Sequence, residues 1–232
     1  MSTASADSNS INRDIERVSP ELVEAAAKYQ AAILADVAGR RGTIHGRVKP
    51  LSAKMKVAGP AVTVEVRPGD NLAIHAALAI AKPGDVIVVD GKGDITCALL
   101  GEIMATQAKV SGIAGIVIDA AVRDAHELAN GDYPIFSAGL NPCGPTKSVA
   151  GRVNAPISLG GTPVNPGDLV VGDADGVVVI PRADVARIVD LAQQKLDGET
   201  ARIAAIHKGV GRPAWLEKEL RAAGMLAEGE AL

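Results

Sequence analysis

Residues 86–121 read VIVVDGKGDITCALLGEIMATQAKVSGIAGIVIDAA, and the fold turns on how that stretch is parsed. It opens with VIVVDG (86–91), a continuous apolar run rich in β-branched residues, the pattern of a strand buried on both faces. It closes with a second such run, GIVIDAA (115–121). Between them GKGDIT (91–96) reads as a loop and CALLGEIMATQAKV (97–110) as a helix. Strand, helix and strand in this order belong to the β-α rhythm of an α/β core.

The same rhythm extends outward. Upstream, AVTVEV (61–66) reads as a strand, and the PGDN turn (68–71) places Asp70 to cap a helix over NLAIHAALAIA. Downstream, RDAHELAN (123–130) reads as a short helix. Further toward the N-terminus, Ser19 as N-cap and Pro20 at the first position open one helix toward Val37, with Val23, Ala27, Leu34 and Val37 near one face. Gly39 and Gly42 end it. Beyond residue 131 the character changes. YPIFSAGL, RVNAPISL, TPVNPGDLVV and GVVVIP are short strands between turns, which predicts an antiparallel or mixed sheet packed beside the first. Residues 183 to about 208 are helical by pattern, and Trp215, Leu216 and Leu220 mark a last short helix.

The fold class is therefore α/β with a C-terminal helical tail. The boundaries predicted are a floppy polar leader over 1–18, one α/β domain over 19–182 and a tail over 183–232. At 47% hydrophobic but only 2% aromatic, the core must be built from Ala, Val, Ile and Leu. Net charge is −3 with no basic run, which argues against nucleic acid as a partner. No apolar stretch of about 18 residues is present, so no membrane span is read, and the first residues lack the apolar middle of a signal peptide. Cys97 and Cys143 lack metal-type spacing and read as reduced thiols of a cytoplasmic protein. GKGDIT does not fit the dinucleotide fingerprint, and no phosphate-binding P-loop occurs. GDADGV (172–177) lacks the distal ligand of a calcium loop and reads as a hairpin turn.

Chemistry concentrates in VIDAAVRDAHE (117–127). A small-residue strand delivers Arg123 beside Asp124, and Glu127 follows. Gly101 and Glu102 stand at or near a helix start. The helix and strand between Glu102 and Arg123 are long enough to bring both to one sheet edge, where α/β folds place their ligands. Asp124 offers hard oxygens suited to Mg²⁺ or Mn²⁺, and Glu102 and Glu127 can hold its waters. Arg123 can grip a carboxylate or a developing oxyanion, and the N–H groups near Ile103 and Met104 add an anion cradle. The plainer alternative is a structural ion pair that closes a strand and opens a helix.

GEIMATQAKVSGIAGIVIDAAVRDAHEL, GPTKSVAGRVNAPISLGGTPVNPGDLVVGDADGVVVIPR and AVTVEVRPGDN together resemble the RraA-like family. The likeness is strongest to its metal-dependent 4-hydroxy-4-methyl-2-oxoglutarate / 4-carboxy-4-hydroxy-2-oxoadipate aldolases, and it covers roughly residues 20 to 225. The resemblance implies a swivelling β/β/α domain assembled as a homotrimer or homohexamer with sites between subunits. It implies that Asp124 ligates the divalent metal directly, that Arg123 contacts the pyruvate part of the substrate, and that Glu102 orients metal-bound water. Aspartate is frequent at that last position, and Glu102 carries one methylene more. Glu199 aligns with an acidic residue that reaches a neighbouring subunit's site. The implied reaction is aldol cleavage to pyruvate plus pyruvate or oxaloacetate, with oxaloacetate decarboxylation beside it, in the degradation of aromatic compounds.

Lys147 in GPTKS reads as a solvated lysine or a binder of the substrate's distal carboxylate; a Schiff-base role would make a metal-free aldolase. His75 reads as a packed histidine, His126 as a surface one, Asn71 as a turn residue and Lys195 as part of a solvated face. The competing function class is a non-enzymatic regulator of ribonuclease activity, which the family's namesake is. The long tail and the intact Arg-Asp pair favour the enzyme.

Overall fold

The computed structural model describes residues 11–232. Helix α1 (Pro20–Ala26) begins as expected: Ser19 is extended and its Oγ accepts the Leu22 N–H at 3.4 Å. The single helix expected toward Val37 is two. α1 stops at Ala26, and α2 (Ala31–Val37) restarts after a turn. Gln30 provides no side-chain cap; Asp173 does, accepting the Ala31 N–H at 2.8 Å from far along the chain. A partner 142 residues away leaves no local signal.

The chain then forms β1 (Lys49–Pro50), β2 (Val57–Glu65), α3 (Leu72–Ile80), β3 (Val86–Leu100), α4 (Glu102–Val110), β4 (Gly115–Val122), α5 (Ala125–Asn130) and β5 (Ile135–Leu140). Strands β2, β3, β4 and β5 are parallel neighbours, each linked to the next through a helix. Alternate residues feed opposite faces. Ile87, Val89, Ile116 and Ile118 join Ile74, Ala77, Met104, Ala108 and Leu128 in a core beneath the helices. Val86, Val88 and Val117 join Phe136, Leu159 and Val164 on the other face. Burial on both sides explains why these strands lack polar alternation.

Part of the helix expected over 97–110 is strand. Cys97–Leu100 continue β3, with Ala98 and Leu100 in register with Ala121 and Val122 of β4. The predicted loop GKGDIT is an irregular excursion within that strand, where Lys92 and Gly93 take positive φ and the register shifts. All four CALL residues are buried, which satisfies a strand between two layers as well as a helix. The consequence is functional: α4 starts at the carboxyl end of β3, level with the end of β4.

The second sheet expected from the later strands is mostly the same sheet. β5 extends the parallel set. β6 (Arg152–Val153) pairs with β2. After β7 (Ile157–Leu159) and β8 (Thr162–Val164), β9 (Leu169–Asp173) pairs antiparallel with the first half of β2, and β10 (Gly176–Ile180) pairs with β9. The sheet order is β1-β5-β4-β3-β2-β9-β10. Only β7 and β8 form a separate ribbon. Val57–Glu65 is long enough to serve partners at both ends, a fact about pairing that composition does not carry.

The floppy leader expected over 1–18 is corrected for residues 11–18; residues 1–10 lie outside the described residues. Asn12 N–H bonds Val153 O at 3.1 Å, Arg17 grips Asp85 through Nε and Nη2 at 2.7 and 2.9 Å, and Val18 is buried. The domain supplies the buried carboxylate that makes this polar segment stick.

α6 (Val185–His207) starts in a third core, where Val185, Ile188 and Ala192 pack with Leu34, Val178 and Ile180. The described chain forms two compact units, divided between Ala192 and Gln193. The second holds the rest of α6 and α7 (Leu216–Ala222); within it Arg202 donates to the carbonyls of Val210 and Gly211 at 2.7 and 2.6 Å. No helix among the described residues is long and apolar enough to cross a membrane.

Candidate functional site

Where β4 runs out, Arg123 N–H bonds Leu100 O at 2.9 Å, the last tie between β4 and β3. Asp124 then takes left-handed backbone, φ 59° and ψ 42°, which a side chain other than glycine rarely adopts. That turn swings its carboxylate back onto α4. Oδ2 accepts the Glu102 N–H at 2.9 Å, one of the helix's unpaired first-turn donors. Oδ1 has no partner among the described residues. Gly101 makes the approach possible, since a Cβ there would lie 2.4 Å from Asp124 Oδ2 and 3.0 Å from Arg123 Cγ.

The Arg123 guanidinium makes no hydrogen bond among the described residues; its nearest carboxylate oxygen is Asp124 Oδ2, at 3.9 Å from Nε. The two side chains are 43% and 38% exposed. Ile103 and Met104 contribute N–H groups that no carbonyl among the described residues satisfies, beside the positive end of the α4 dipole. The Arg123 guanidinium and these two N–H groups belong to residues lining one cleft, a donor set able to receive an anion.

The opposite wall comes from α3 and the loop after β5. The cleft between them, about 120 Å³, is lined by Asn71, His75, Gly101, Ile103, Met104, Arg123, Asp124 and Lys147, with Leu99, Leu100 and Pro145 behind. Asp70 anchors the loop: its Oδ2 accepts from Thr146 Oγ1 and Ser148 N at 2.7 Å and from Val149 N at 3.1 Å, and Oδ1 accepts from Leu72 N at 3.0 Å. Burial would raise the Asp70 pKa; these donors outweigh it and hold the carboxyl at about 2. Asn71 is buried. Its Nδ2 donates to Leu99 O at 2.9 Å and Met104 Sδ at 3.3 Å, and Oδ1 has no donor among the described residues. His75 Nε2 is likewise unpartnered. Desolvation first, and the Lys147 charge second, push the His75 pKa down, so the ring is neutral at neutral pH.

Of the residues singled out in the sequence, the cleft gathers Gly101, Ile103, Met104, Arg123, Asp124 and Lys147. Glu102 does not line it; its backbone N–H is taken by Asp124 Oδ2. Glu102 lines instead a separate groove of about 170 Å³ between α4 and α5, with Glu127, Lys109 and Asp132. Glu199 lies in the second compact unit, where it pairs with Lys195 at 3.2 Å. Asn71 and His75, read from sequence as a turn residue and a packed histidine, are the lining residues that reading undervalued. Asn71 at the N-cap of α3 and His75 in its first turn stand four apart just after a turn, a signal that acquires meaning only once α4 sets Met104 opposite them.

Among the described residues no three His, Cys, Asp or Glu side chains converge as metal ligands. What is present is one accessible hard oxygen, Asp124 Oδ1, with open space around it. That suits a small hard cation that keeps most of its waters and does not suit a closed structural metal.

An α/β domain with a donor-lined cleft beyond its strand ends is the class these observations define. Residues 19–179 match the RraA-like description Aldolase/RraA, and the chain belongs to that family. It is 46% identical over 172 residues to a Halalkalibacterium halodurans protein provisionally named 4-hydroxy-4-methyl-2-oxoglutarate aldolase, covering 74% of this chain and 82% of that one. Among solved structures it is similar to RraAS2 of Streptomyces coelicolor, described as an unusual member of the RNase ES inhibitor RraA family. There the identity is 32%, the TM-score 0.72, and the match covers 82% of this chain and 99% of that one. It is also similar to the RNA-processing inhibitor RraA of Thermus thermophilis, at 29% identity and TM-score 0.61, covering 66% of this chain and 92% of that one.

Proposed function

We propose that the protein is a divalent-metal-dependent aldolase of the class II type. Its substrates are 4-hydroxy-4-methyl-2-oxoglutarate, 4-carboxy-4-hydroxy-2-oxoadipate or both, cleaved to pyruvate plus pyruvate or oxaloacetate, with oxaloacetate decarboxylation as a side activity. The observation that carries this reading is the Arg123 guanidinium, without a hydrogen-bond acceptor, beside a carboxylate with one free oxygen at the mouth of a helix dipole. The kinship to a protein named for that aldolase supports the substrate class.

Mg²⁺ or Mn²⁺ held at Asp124 would supply Lewis-acid polarisation of a 2-oxo group. Arg123 and the N–H groups of Ile103 and Met104 bind the 2-oxo acid end and meet the negative charge that develops as the C3–C4 bond opens. Lys147 takes the distal carboxylate. Asn71 Oδ1, buried and lacking a donor, accepts from a substrate hydroxyl. Neutral His75 stays beside it without adding charge. Glu102 and Glu127 line the groove between α4 and α5, so we assign proton removal from the C4 hydroxyl to Glu199 brought from a neighbouring copy in a homotrimer or homohexamer. The setting we propose is cytoplasmic.

The test is pyruvate release from each aldol substrate. EDTA should stop it, Mg²⁺ or Mn²⁺ should restore it, and Asp124→Ala should abolish it in a protein that still folds. Full turnover in chelator, with borohydride trapping the substrate on Lys147, would replace this mechanism with a Schiff-base one.

The likeness to RraA inhibitors supports a second reading, a non-enzymatic regulator of a ribonuclease. Tight binding to a purified endoribonuclease, with no lyase or decarboxylase turnover under any divalent ion, would establish it instead.

A further inference from the structure

The chain leaving α2 takes left-handed backbone at Gly39, Arg40 and Gly42, with φ of 75°, 59° and 79°. Arg40 holds that conformation without being glycine, fixed by its N–H on Ala35 O at 2.9 Å. Gly42 is pinned to β10, since a Cβ there would sit 2.1 Å from Val179 O. This turn sets Arg40 and Arg41 side by side on the rim of a second cleft, about 560 Å³ in volume against about 120 Å³ for the one at Arg123. The two clefts share no lining residue. They lie toward different parts of the sheet, one beyond the end of β4 and one at the β10 edge.

Neither Arg40 nor Arg41 has an acceptor among the described residues. The facing wall is the start of α6, a 23-residue helix whose positive dipole end lies here, with Asp184 and Arg187 paired to each other at 3.1 Å. Three guanidiniums against one carboxylate leave a surplus of positive charge. Val179, Ile180 and Ile188 supply an apolar floor. The volume lies within the range of small-molecule sites, roughly 300–1,000 Å³, and exceeds what a lone oxyanion fills.

We propose that this cleft binds a small organic anion, its apolar body on Val179, Ile180 and Ile188 and its phosphate or carboxylate at Arg40 and Arg41. The inference is independent of the aldolase reading and stands or falls separately.

The test is titration calorimetry on the full chain with phenyl phosphate and benzoate, with benzyl alcohol and inorganic phosphate as controls. At least one of the two aromatic anions should bind, and which binds tighter tells a phosphorylated ligand from a carboxylate one. The neutral alcohol should not bind, and inorganic phosphate should bind more weakly. Arg40→Gly with Arg41→Ala keeps the left-handed turn and should weaken binding by roughly tenfold or more, while melting temperature and pyruvate release stay unchanged. Arg123→Ala should leave binding intact. The proposal is overturned if neither aromatic anion binds at millimolar concentration, if the double variant binds as well as the parent, or if Arg123→Ala removes the binding. Should the double variant not fold, Arg41→Gln alone should bind the anion more weakly than the parent and with a shallower salt dependence. Affinity and salt dependence equal to the parent's would then overturn the proposal.

Discussion

Two arginine–aspartate pairs centre on aspartates five residues apart, Asp119 within β4 and Asp124 just beyond its end, and they differ in how far their hydrogen bonds are filled. In the middle of β4, Asp119 is buried and receives Arg47 through two bonds of 2.7 Å, Nε to Oδ1 and Nη2 to Oδ2. Its hydrogen bond to Asp119 raises the Arg47 pKa further still. Arg47 also lies over Gly93, where a Cβ would come within 3.0 Å of Nη2, so the pair fastens the irregular excursion of β3. Beyond the strand's end, Arg123 and Asp124 only approach each other, at 3.9 Å, and both keep unused hydrogen-bonding capacity in a cleft. The same two residue types serve as scaffold where their bonds are filled, and they keep capacity for a ligand where they are not.

That contrast can be broken by exchanging the roles in experiment. The largest expected effect is in the filled pair. Arg47→Ala leaves Asp119 buried without its cation and should destabilise the fold by about 3 kcal/mol, read as a lower urea midpoint. If the midpoint hardly moves, the buried pair is not scaffold. Next, Arg123→Ala should lower kcat/KM for aldol cleavage by roughly 10² to 10³, the scale of losing a charge-stabilising donor, with the urea midpoint unchanged. A large stability loss there would make Arg123 structural too. Gly101→Ala forces a methyl group against the Asp124 carboxylate and should depress turnover more than it depresses stability.

Asp70 sharpens the comparison as a third carboxylate, satisfied by N–H and hydroxyl donors rather than by arginine. Its folded pKa of about 2 lies below the usual aspartate value near 3.9. The stability it contributes is therefore present above the unfolded value and lost as pH falls toward 2. Asp70→Asn should cost roughly 2 kcal/mol at neutral pH and flatten the acid limb of the stability curve over that window. The smallest effect concerns His75. Removing the Lys147 charge with Lys147→Met should raise the His75 pKa modestly, followed by NMR titration; no change would mean that burial alone keeps the ring neutral.

Much of this was legible in the chain. The βαβ rhythm from 61 to 130 follows from β-branched runs alternating with helical ones, because strands covered on both faces must be apolar throughout. The Arg123–Asp124 end of β4 was legible as chemistry, since charge placed directly after such a run falls at a sheet edge. Asn71 and His75 were less so. Their unpartnered atoms exist only because Leu99 O and Met104 Sδ take the other bonds of Asn71 and because the 144–149 loop folds over them. The placement of Glu102 was also hidden. Its backbone N–H holds Asp124 while the residue lines the groove between α4 and α5, a split that depends on where within 97–102 the strand yields to the helix.

By itself the sequence determined the α/β core, the helical tail and the residues able to carry charge at the end of β4, because hydrophobic periodicity and residue chemistry are local properties. Tertiary structure alone decided that β9 and β10 join the same sheet through β2, that Asp173 caps α2, and which arginines are spent and which are free. Those outcomes depend on partners distant in the chain, and whether a charged group is satisfied is settled only when the last of its neighbours is in place.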